Sequence, residues 1–459
     1  MSKVCKKADL AYSGEVLADM CVCCFAVICQ LKLSGVDNMK RTVVIVGGGL
    51  SGIIAAYKLA HVKKADIVLL DKGSYYTDRS QSNPKDQLFG FGGAGTLAGG
   101  KLCFPPASGE IWKKTCATSD ALRLLFDSYL PPKHRYPDRT PASIEADFSN
   151  SFFQKKYNTS LLLQDEMQMW IAELLLGLSE LGVVTRGHCE VTNITQSNNS
   201  GYEVLFSNDS GKQERIFSDY IVLATGRTST PLLSRTLEAK HIGKVLPDLG
   251  LRLSIKYSDG NPVFSTGADT KLKQLYKDLL VRTFCVCCGG DSALISNDSF
   301  TYYDGHFGRS ITSTNNFGIL ARSYKLSGNE IISSYMSTLQ KYIGADISLA
   351  EFLRAPTKYV SNTIFESLFE TIANFVTVLY SMGAFEQSLS EIPVLLPSAD
   401  HFNPIIHTNE YFEVPHTNIY VTGDASGVSR GFIQAMWSGL CAATNIEEKM
   451  CFGKQIVSA

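Results

Sequence analysis

The stretch Arg41-Thr42-Val43-Val44-Ile45-Val46-Gly47-Gly48-Gly49-Leu50-Ser51-Gly52-Ile53-Ile54-Ala55-Ala56 decides the fold. Thr42 to Val46 are mostly β-branched and read as a buried strand. Gly47, Gly49 and Gly52 follow in the spacing G-x-G-x-x-G, and a helix is expected from about Leu50. In that spacing the first glycine permits a tight turn and the second lets a pyrophosphate approach the backbone. The third lets the helix pack close to the sheet. The N–H groups at the helix start, helped by the helix dipole, then face the phosphates. Ala65 to Leu70 reads as a second strand, ending in Asp71, 19 residues after Gly52, where an adenosine ribose needs a hydroxyl acceptor. Gly47, Gly49, Leu50, Ser51 and Gly52 are therefore expected to hold a pyrophosphate, with Asp71 and its neighbour Lys72 beside the ribose. A chance glycine turn would explain the glycines, but not the order strand, glycines, helix, strand, acid.

Composition bounds the rest. The chain has 459 residues, 45% hydrophobic and 19% charged, as a soluble globular protein with room for two domain cores would. A net charge of −1 implies no broad basic surface for nucleic acid. The expected partner is a small-molecule substrate, with no nucleic acid and no transmembrane segment. Thirteen cysteines, an odd number without regular spacing, make a poor disulfide framework and are expected as reduced thiols in a cytoplasmic protein. The N-x-S/T triplets at Asn158, Asn193 and Asn198 are then coincidental. Cys21, Cys23 and Cys24 have no histidine or second cluster nearby, so no metal site is expected. The longest apolar run in residues 1–38, Met20 to Cys29, is ten residues, against the roughly 20 of a spanning helix, and no small-x-small cleavage site follows it. Met39 looks like an ordinary start just before the first strand, so residues 1–38 are expected to be an extension outside the fold.

Further along, Phe89 to Leu102 is rich in glycine, and helical periodicity runs over Asp120 to Tyr129, Asp165 to Leu181, Asn329 to Ile343 and Ile364 to Met382. Val183 to Thr195, Gly201 to Phe206, Arg215 to Phe217, Leu249 to Tyr257 and the alternation near Asp298 to Tyr303 read as strands. Tyr220 to Gly226 is a buried strand stopped by small residues. Ile419 to Thr422 is another, followed by Gly423-Asp424 and a helix from about Gly431 to Lys449. The other G-x-G-x-x-G spacing, Gly90 to Gly95, lies inside the glycine-rich loop and follows no strand-like run, so no second strand–glycine–helix unit is expected. The expected division is a discontinuous nucleotide-binding domain, residues 39–236 and 397–459, with residues 237–396 inserted as a second unit.

The opening motif together with Ile221 to Gly226 and Ile419 to Asp424 resembles the FAD/NAD(P)-binding oxidoreductases of the glutathione-reductase superfamily. Four stretches are similar to its uncharacterised FAD-dependent dehydrogenase family. They are Gly92-Gly93-Ala94-Gly95 with Gly99-Gly100-Lys101-Leu102, Leu249-Gly250-Leu251-Arg252, Thr283 to Gly290 (TFCVCCGG), and Gly423-Asp424-Ala425-Ser426-Gly427 running on to Arg430-Gly431-Phe432-Ile433-Gln434-Ala435. Gly99 stands where that family carries an aspartate and Cys288 where it carries a proline; Phe104 to Phe148 matches nothing in it. The resemblance implies an α/β fold: a Rossmann-like FAD-binding domain with an inserted α+β substrate domain. It implies FAD as cofactor, and reduced nicotinamide, NAD(P)H, only as a transient visitor.

On that resemblance Val191 would pass backbone beside the adenine, and Ala224, Thr225 and Gly226 would form a turn against the dinucleotide. Gly423 and Asp424 would meet a ribityl hydroxyl, although an aspartate there is also a common helix N-cap. Gly431, Phe432 and Ile433 would aim helix-start amides at the flavin N1 side, where negative charge collects on reduction. Gly93, Ala94 and Gly95 would lie close to the isoalloxazine ring, the alternative being a flexible loop. Four residues are candidates for catalysis. Lys101 either orients water or substrate near the ring or is simply solvated. Cys285 and Cys287 would share one side of a strand and either face substrate, act in redox chemistry, or pack in the core. His306 is the best-placed general acid or base. The expected activity is that of an FAD-dependent dehydrogenase or reductase passing hydride between flavin N5 and a small molecule. The alternatives are an FAD monooxygenase and a non-catalytic flavin redox sensor or assembly protein.

Overall fold

A computed structural model describes residues 40–135, 146–149, 152–197, 201–257, 261, 263–264, 268–297, 299–400 and 402–452. The expected extension 1–38, with Cys21, Cys23 and Cys24, lies outside the described residues, as do Asn198 and Asp298.

Val43, Val44 and Ile45 are fully buried because their strand, Arg41–Val46, is paired on both edges. Parallel pairing runs with Ala65–Leu70 on one side and, over Val43–Val46, with Tyr220–Leu223 on the other. Ile419–Val421 and Val184–Arg186 complete a five-stranded parallel sheet in the spatial order 419–421, 220–223, 41–46, 65–70, 184–186. The side chains of the first strand alternate between two cores, as the two-residue period requires. Val43 and Ile45 pack with the first helix, Leu50–Val62, the helix Gln164–Glu180 and the C-terminal helix, Phe432–Phe452. Val44 and Val46 pack on the other face, against a three-stranded antiparallel layer of Glu190–Gln196, Tyr202–Ser207 and Gln213–Ser218. The first and last helices touch along their length. Gly439 is needed there because a Cβ would strike the Ser51 carbonyl.

The second unit is an antiparallel sheet in the order 394–400, 248–256, 314–323, 279–288, 268–276, 152–162, 100–103, with Ala146–Ser149 beside Phe152–Leu162. The helix Thr363–Ser381 covers it. Its Phe365, Leu368, Phe369, Ile372, Phe375, Val376 and Leu379 recur at the three-to-four-residue spacing of one helical face. They share a core with Leu251, Leu253, Val281, Phe317 and Ile319 of the sheet. Each such side chain contributes about 1.5–3 kcal/mol on full burial.

Five strands of this sheet come from residues 248–400. Gly100–Cys103 and Phe152–Leu162 join from outside that range, because the end of the glycine-rich loop pairs with the second of these strands (Gly100 opposite Leu162). The second strand pairs in turn with Ala268–Tyr276. Val183 to Thr195 is not one strand. His188, at φ 51°, turns the chain, so Val184–Arg186 joins the parallel sheet and Glu190–Gln196 the antiparallel layer. The expected helix Asn329 to Ile343 stops at Leu339 and ends in a short 3-10 turn. Among the described residues no helix is long and apolar enough to cross a membrane.

Candidate functional site

The C-terminal ends of strands 41–46, 220–223 and 419–421 open onto a cleft of about 320 Å³. Every residue expected to touch the cofactor lines it except Gly52 and Ile433, which lie in the first turns of the two helices with their positions turned from the cleft. Ile433 is wholly in the core. At Gly52 a Cβ would run into the Gly47 carbonyl and come within 3.2 Å of the Ile45 side chain. Gly47, at φ 109°, packs its turn on the Ala224 carbonyl, again leaving no room for a Cβ. Gly49 differs. Its backbone (φ −75°, ψ 175°) suits any residue, and the nearest atom to a Cβ is the Gly93 Cα at 3.8 Å. Two of the three glycines are thus required by the chain itself, and Gly49 faces open cleft.

Both helix starts at the cleft are electrostatically bare. Gly49 caps the first helix without a side-chain bond, and neither helix has an acidic residue in its first turn. The positive ends of two helices therefore point at the same cavity. The Thr225 hydroxyl, buried in the cleft wall, has no hydrogen-bond partner among the described residues. A polar, anionic group entering the cleft would satisfy all of these.

Asp71 is more engaged than its position in sequence suggested. Its carboxylate accepts from the amides of Gly48 (2.7 Å), Gly73 (2.8 Å) and Gly90 (3.0 Å). Burial pushes its carboxyl up, while these amides and Arg79 pull it down. Two carboxylate oxygens offer about four acceptor sites, so one remains beyond the three amides. Asp71 ties the first glycine turn to the glycine-rich loop, and a second tie is the Gly92 amide on the Gly48 carbonyl (2.8 Å).

Arg79, which no sequence signal marked, pins that loop. Its guanidinium is buried and donates to the carbonyls of Asp86 (2.9 Å), Phe91 (2.8 Å) and Gly93 (2.9 Å). Burial lowers its pKa to about 10 despite Asp71 and Asp86. Phe91 stacks on Tyr75 with ring centroids 5.1 Å apart, and fills the place a Cβ of Gly48 would take. The loop beside the cleft is therefore held by specific bonds, which the flexible-loop alternative does not predict.

Asp424 joins a chain of ion pairs linking the two units. It lies 3.7 Å from Arg227 and 3.3 Å from Arg430. Arg227 pairs with Asp304 (2.6 Å), and Asp304 with the fully buried Arg252 (3.2 Å). In the other direction Arg430 pairs with Asp400, Asp400 with Arg282 (3.1 Å), and Asp248 with Arg282 and Arg322. Removing one member of such a chain strands a buried charge.

Lys101, Cys285, Cys287 and His306 do not line the cleft. Lys101 is not solvated: it is largely buried and ion-paired with Asp269, which raises its pKa against the opposing effect of burial. His306 faces the Leu97 carbonyl at 3.1 Å, so its Nε2 carries the proton and donates. Burial lowers its pKa. It braces the glycine-rich loop from the second unit. The two cysteines lie together, with their sulfurs 3.7 Å apart.

The family described as NAD(P)-binding Rossmann-like domain matches residues 45–95. No curated protein matches. Among solved structures, a putative FAD-containing monooxygenase from Photorhabdus luminescens is 13% identical, covers 91% of each chain and has a TM-score of 0.42. A flavoprotein/dehydrogenase from Cytophaga hutchinsonii is 12% identical over 89% of this chain and 78% of its own, with a TM-score of 0.39. Aklavinone-11 hydroxylase, solved with FAD and aklavinone, is 11% identical at a TM-score of 0.41; the match covers 91% of this chain and 63% of the hydroxylase. The chain has an α/β fold whose residues 45–95 form a Rossmann-like unit.

Proposed function

We propose that the protein is an FAD-dependent oxidoreductase, transferring hydride between flavin N5 and a small-molecule substrate. The observation that carries this reading is the single cleft joining the open helix start at Gly49 to the Gly423-Asp424 turn and the start of the C-terminal helix. Gly49, Leu50 and Ser51 hold the pyrophosphate at the helix start. Asp71 offers its remaining acceptor site to the ribose, and Val191 lies along the adenine. Thr225 gains a partner for its hydroxyl. Gly423 and Asp424 orient the ribityl chain, and Arg227 and Arg430 fix the position of the Asp424 carboxylate. The amides at the start of the C-terminal helix favour the reduced, anionic state electrostatically. When bound, FAD supplies hydride transfer at N5. The antiparallel sheet and the loop held by Arg79 and His306 keep water from the ring side. NAD(P)H would dock transiently, since only the G-x-G-x-x-G at Gly47 to Gly52 stands between a strand and a long helix.

The test is direct. Purified protein should be yellow and release FAD on denaturation. Folded protein that is colourless and stays empty when given FAD would overturn the reading. Oxygen uptake with reductant and product hydroxylation would move the assignment to a monooxygenase. Bound FAD with no turnover for any donor would move it to a redox protein without a small substrate.

A further inference from the structure

The strand Leu279–Cys288 carries three cysteines, and the structure gives them different surroundings. Cys288 faces the apolar core shared with Leu251, Val281 and Phe317. Cys285 and Cys287 face the opposite way, toward charge. Pairing with Thr314–Ser323 slips between Phe284 and Cys287, so the strand bulges there. Cys285 sits in the bulge at φ 45°, a left-handed conformation that strains a non-glycine residue. A residue used only for packing would not need that conformation; the bulge brings the Cys285 Sγ to 3.7 Å from the Cys287 Sγ.

The neighbours are chemically specific. The Arg252 guanidinium, fully buried, donates to the Cys285 carbonyl at 3.3 Å. Lys101, held as a cation by Asp269, donates to the carbonyl of Val286 between the two cysteines. Asp304 approaches from the facing strand but is engaged by Arg252 and Arg227. Gly305, next to it, leaves room for both sulfurs: a Cβ there would lie 2.6 Å from the Cys287 Sγ and 3.0 Å from the Cys285 Sγ. Cys287 is 0% exposed, whereas Cys285 keeps part of its surface.

We propose that Cys285 and Cys287 are a peroxide-oxidisable dithiol, with Cys285 the attacking sulfur and Cys287 the resolving one. The hydrogen bond from Cys287, backed by Arg252 and Lys101, pulls the Cys285 thiol below its ordinary range against burial and Asp304; the same bond pushes Cys287 up. The Cys285 thiolate attacks one peroxide oxygen and the O–O bond breaks. Hydroxide leaves and takes up a proton as water, and Cys285 becomes a sulfenic acid. The Cys287 sulfur then attacks the Cys285 sulfur. The S–S bond forms as the S–O bond breaks, and the Cys287 thiol proton leaves with hydroxide as a second water. In sum, two thiols and one hydrogen peroxide give one disulfide and two waters; the sulfurs lose two electrons and the peroxide gains them. A small oxidant fits the enclosure, because a bulky disulfide could not reach a pair of which one sulfur is wholly covered. This proposal does not rest on the flavin assignment, and either can fail while the other stands.

The test uses the full chain as purified. Folded protein is treated with hydrogen peroxide, then denatured and alkylated, and the tryptic peptide 283–309 is fragmented. The expected result is loss of alkylation at both Cys285 and Cys287, a mass about 2 Da below the dithiol form, and reversal by dithiothreitol. Cys287→Ser should leave a sulfenic acid on Cys285 that dimedone traps, and Cys285→Ser should leave Cys287 a free thiol. Full alkylation of both cysteines in peroxide-treated wild-type protein would overturn the proposal. A bond from Cys285 to Cys103 or Cys288 instead would overturn it equally. The wild-type peptide map decides even where a serine variant fails to fold.

Discussion

Replacing Gly49 by alanine separates folding from ligand binding at one atom. In the folded chain a Cβ at Gly49 meets nothing nearer than the Gly93 Cα at 3.8 Å, in a backbone conformation open to any residue. The substitution narrows the unfolded ensemble, a gain of about 0.4–1 kcal/mol. It also gives up the preference for glycine over alanine at a helix N-cap, a loss of similar size. The net change in folding free energy is therefore within about 1 kcal/mol. The new methyl group stands in the cleft at the bare helix start. Losing one charge-assisted hydrogen bond there costs about 1.5–3 kcal/mol, so the Kd for FAD should rise about 10- to 150-fold. Gly52→Ala should do the reverse. Its Cβ strikes the Gly47 carbonyl, and overpacking of that kind costs about 1–3 kcal/mol in stability. The assay pairs urea unfolding of the apoprotein with FAD titration followed by flavin fluorescence. Wild-type affinity in Gly49→Ala would refute the assignment of that open space to the ligand. So would a loss of stability matching that of Gly52→Ala.

Two further outcomes follow from the same geometry. Arg79→Ala leaves the Asp86 carbonyl without its donor and takes one donor each from the carbonyls of Phe91 and Gly93, which Thr96 still reaches, at a cost of about 1–3 kcal/mol. Amide hydrogen exchange should accelerate across residues 86–93, and unchanged protection there would contradict the pinning role. Asp269 should shape the acid limb of stability. Burial raises its carboxyl, but Lys101 and Lys271 outweigh that and hold it at about 2, below its ordinary 3.8. A folded value below the unfolded one contributes stability that is present above about pH 4 and lost as pH falls toward 2, about 2 kcal/mol in all. Asp269→Asn should lower stability at neutral pH and flatten unfolding between pH 4 and 2; an unaltered acid limb would contradict the pairing.

Local physics made much of the fold legible. The run of β-branched residues, the glycine spacing and the apolar stripes of residues 164–180 and 363–381 act within a turn or a strand of themselves, so the chain displays them directly. Arg79 was invisible because its partners are backbone carbonyls in an aperiodic loop, which any residue type supplies. The ion-pair chain was invisible because its partners are remote: Arg227 meets Asp304, and Arg252 meets both Asp304 and Asn316, across different elements. Cys285 and Cys287 were expected on one side of a strand by simple alternation. They do face together, but through a bulge that alternation does not contain.

By itself the amino-acid order determined that a strand, a glycine turn and a helix would build a phosphate-sized opening, since steric demands of glycine and β-branched side chains operate between neighbours. Only the tertiary structure decided which glycine faces open cleft and which two are wedged against carbonyls. It alone buried Lys101 against Asp269 and brought two sulfurs onto the backbone of Gly305. Those outcomes depend on contacts between residues far apart in the chain, where packing and charge are settled only once the sheets have closed on one another.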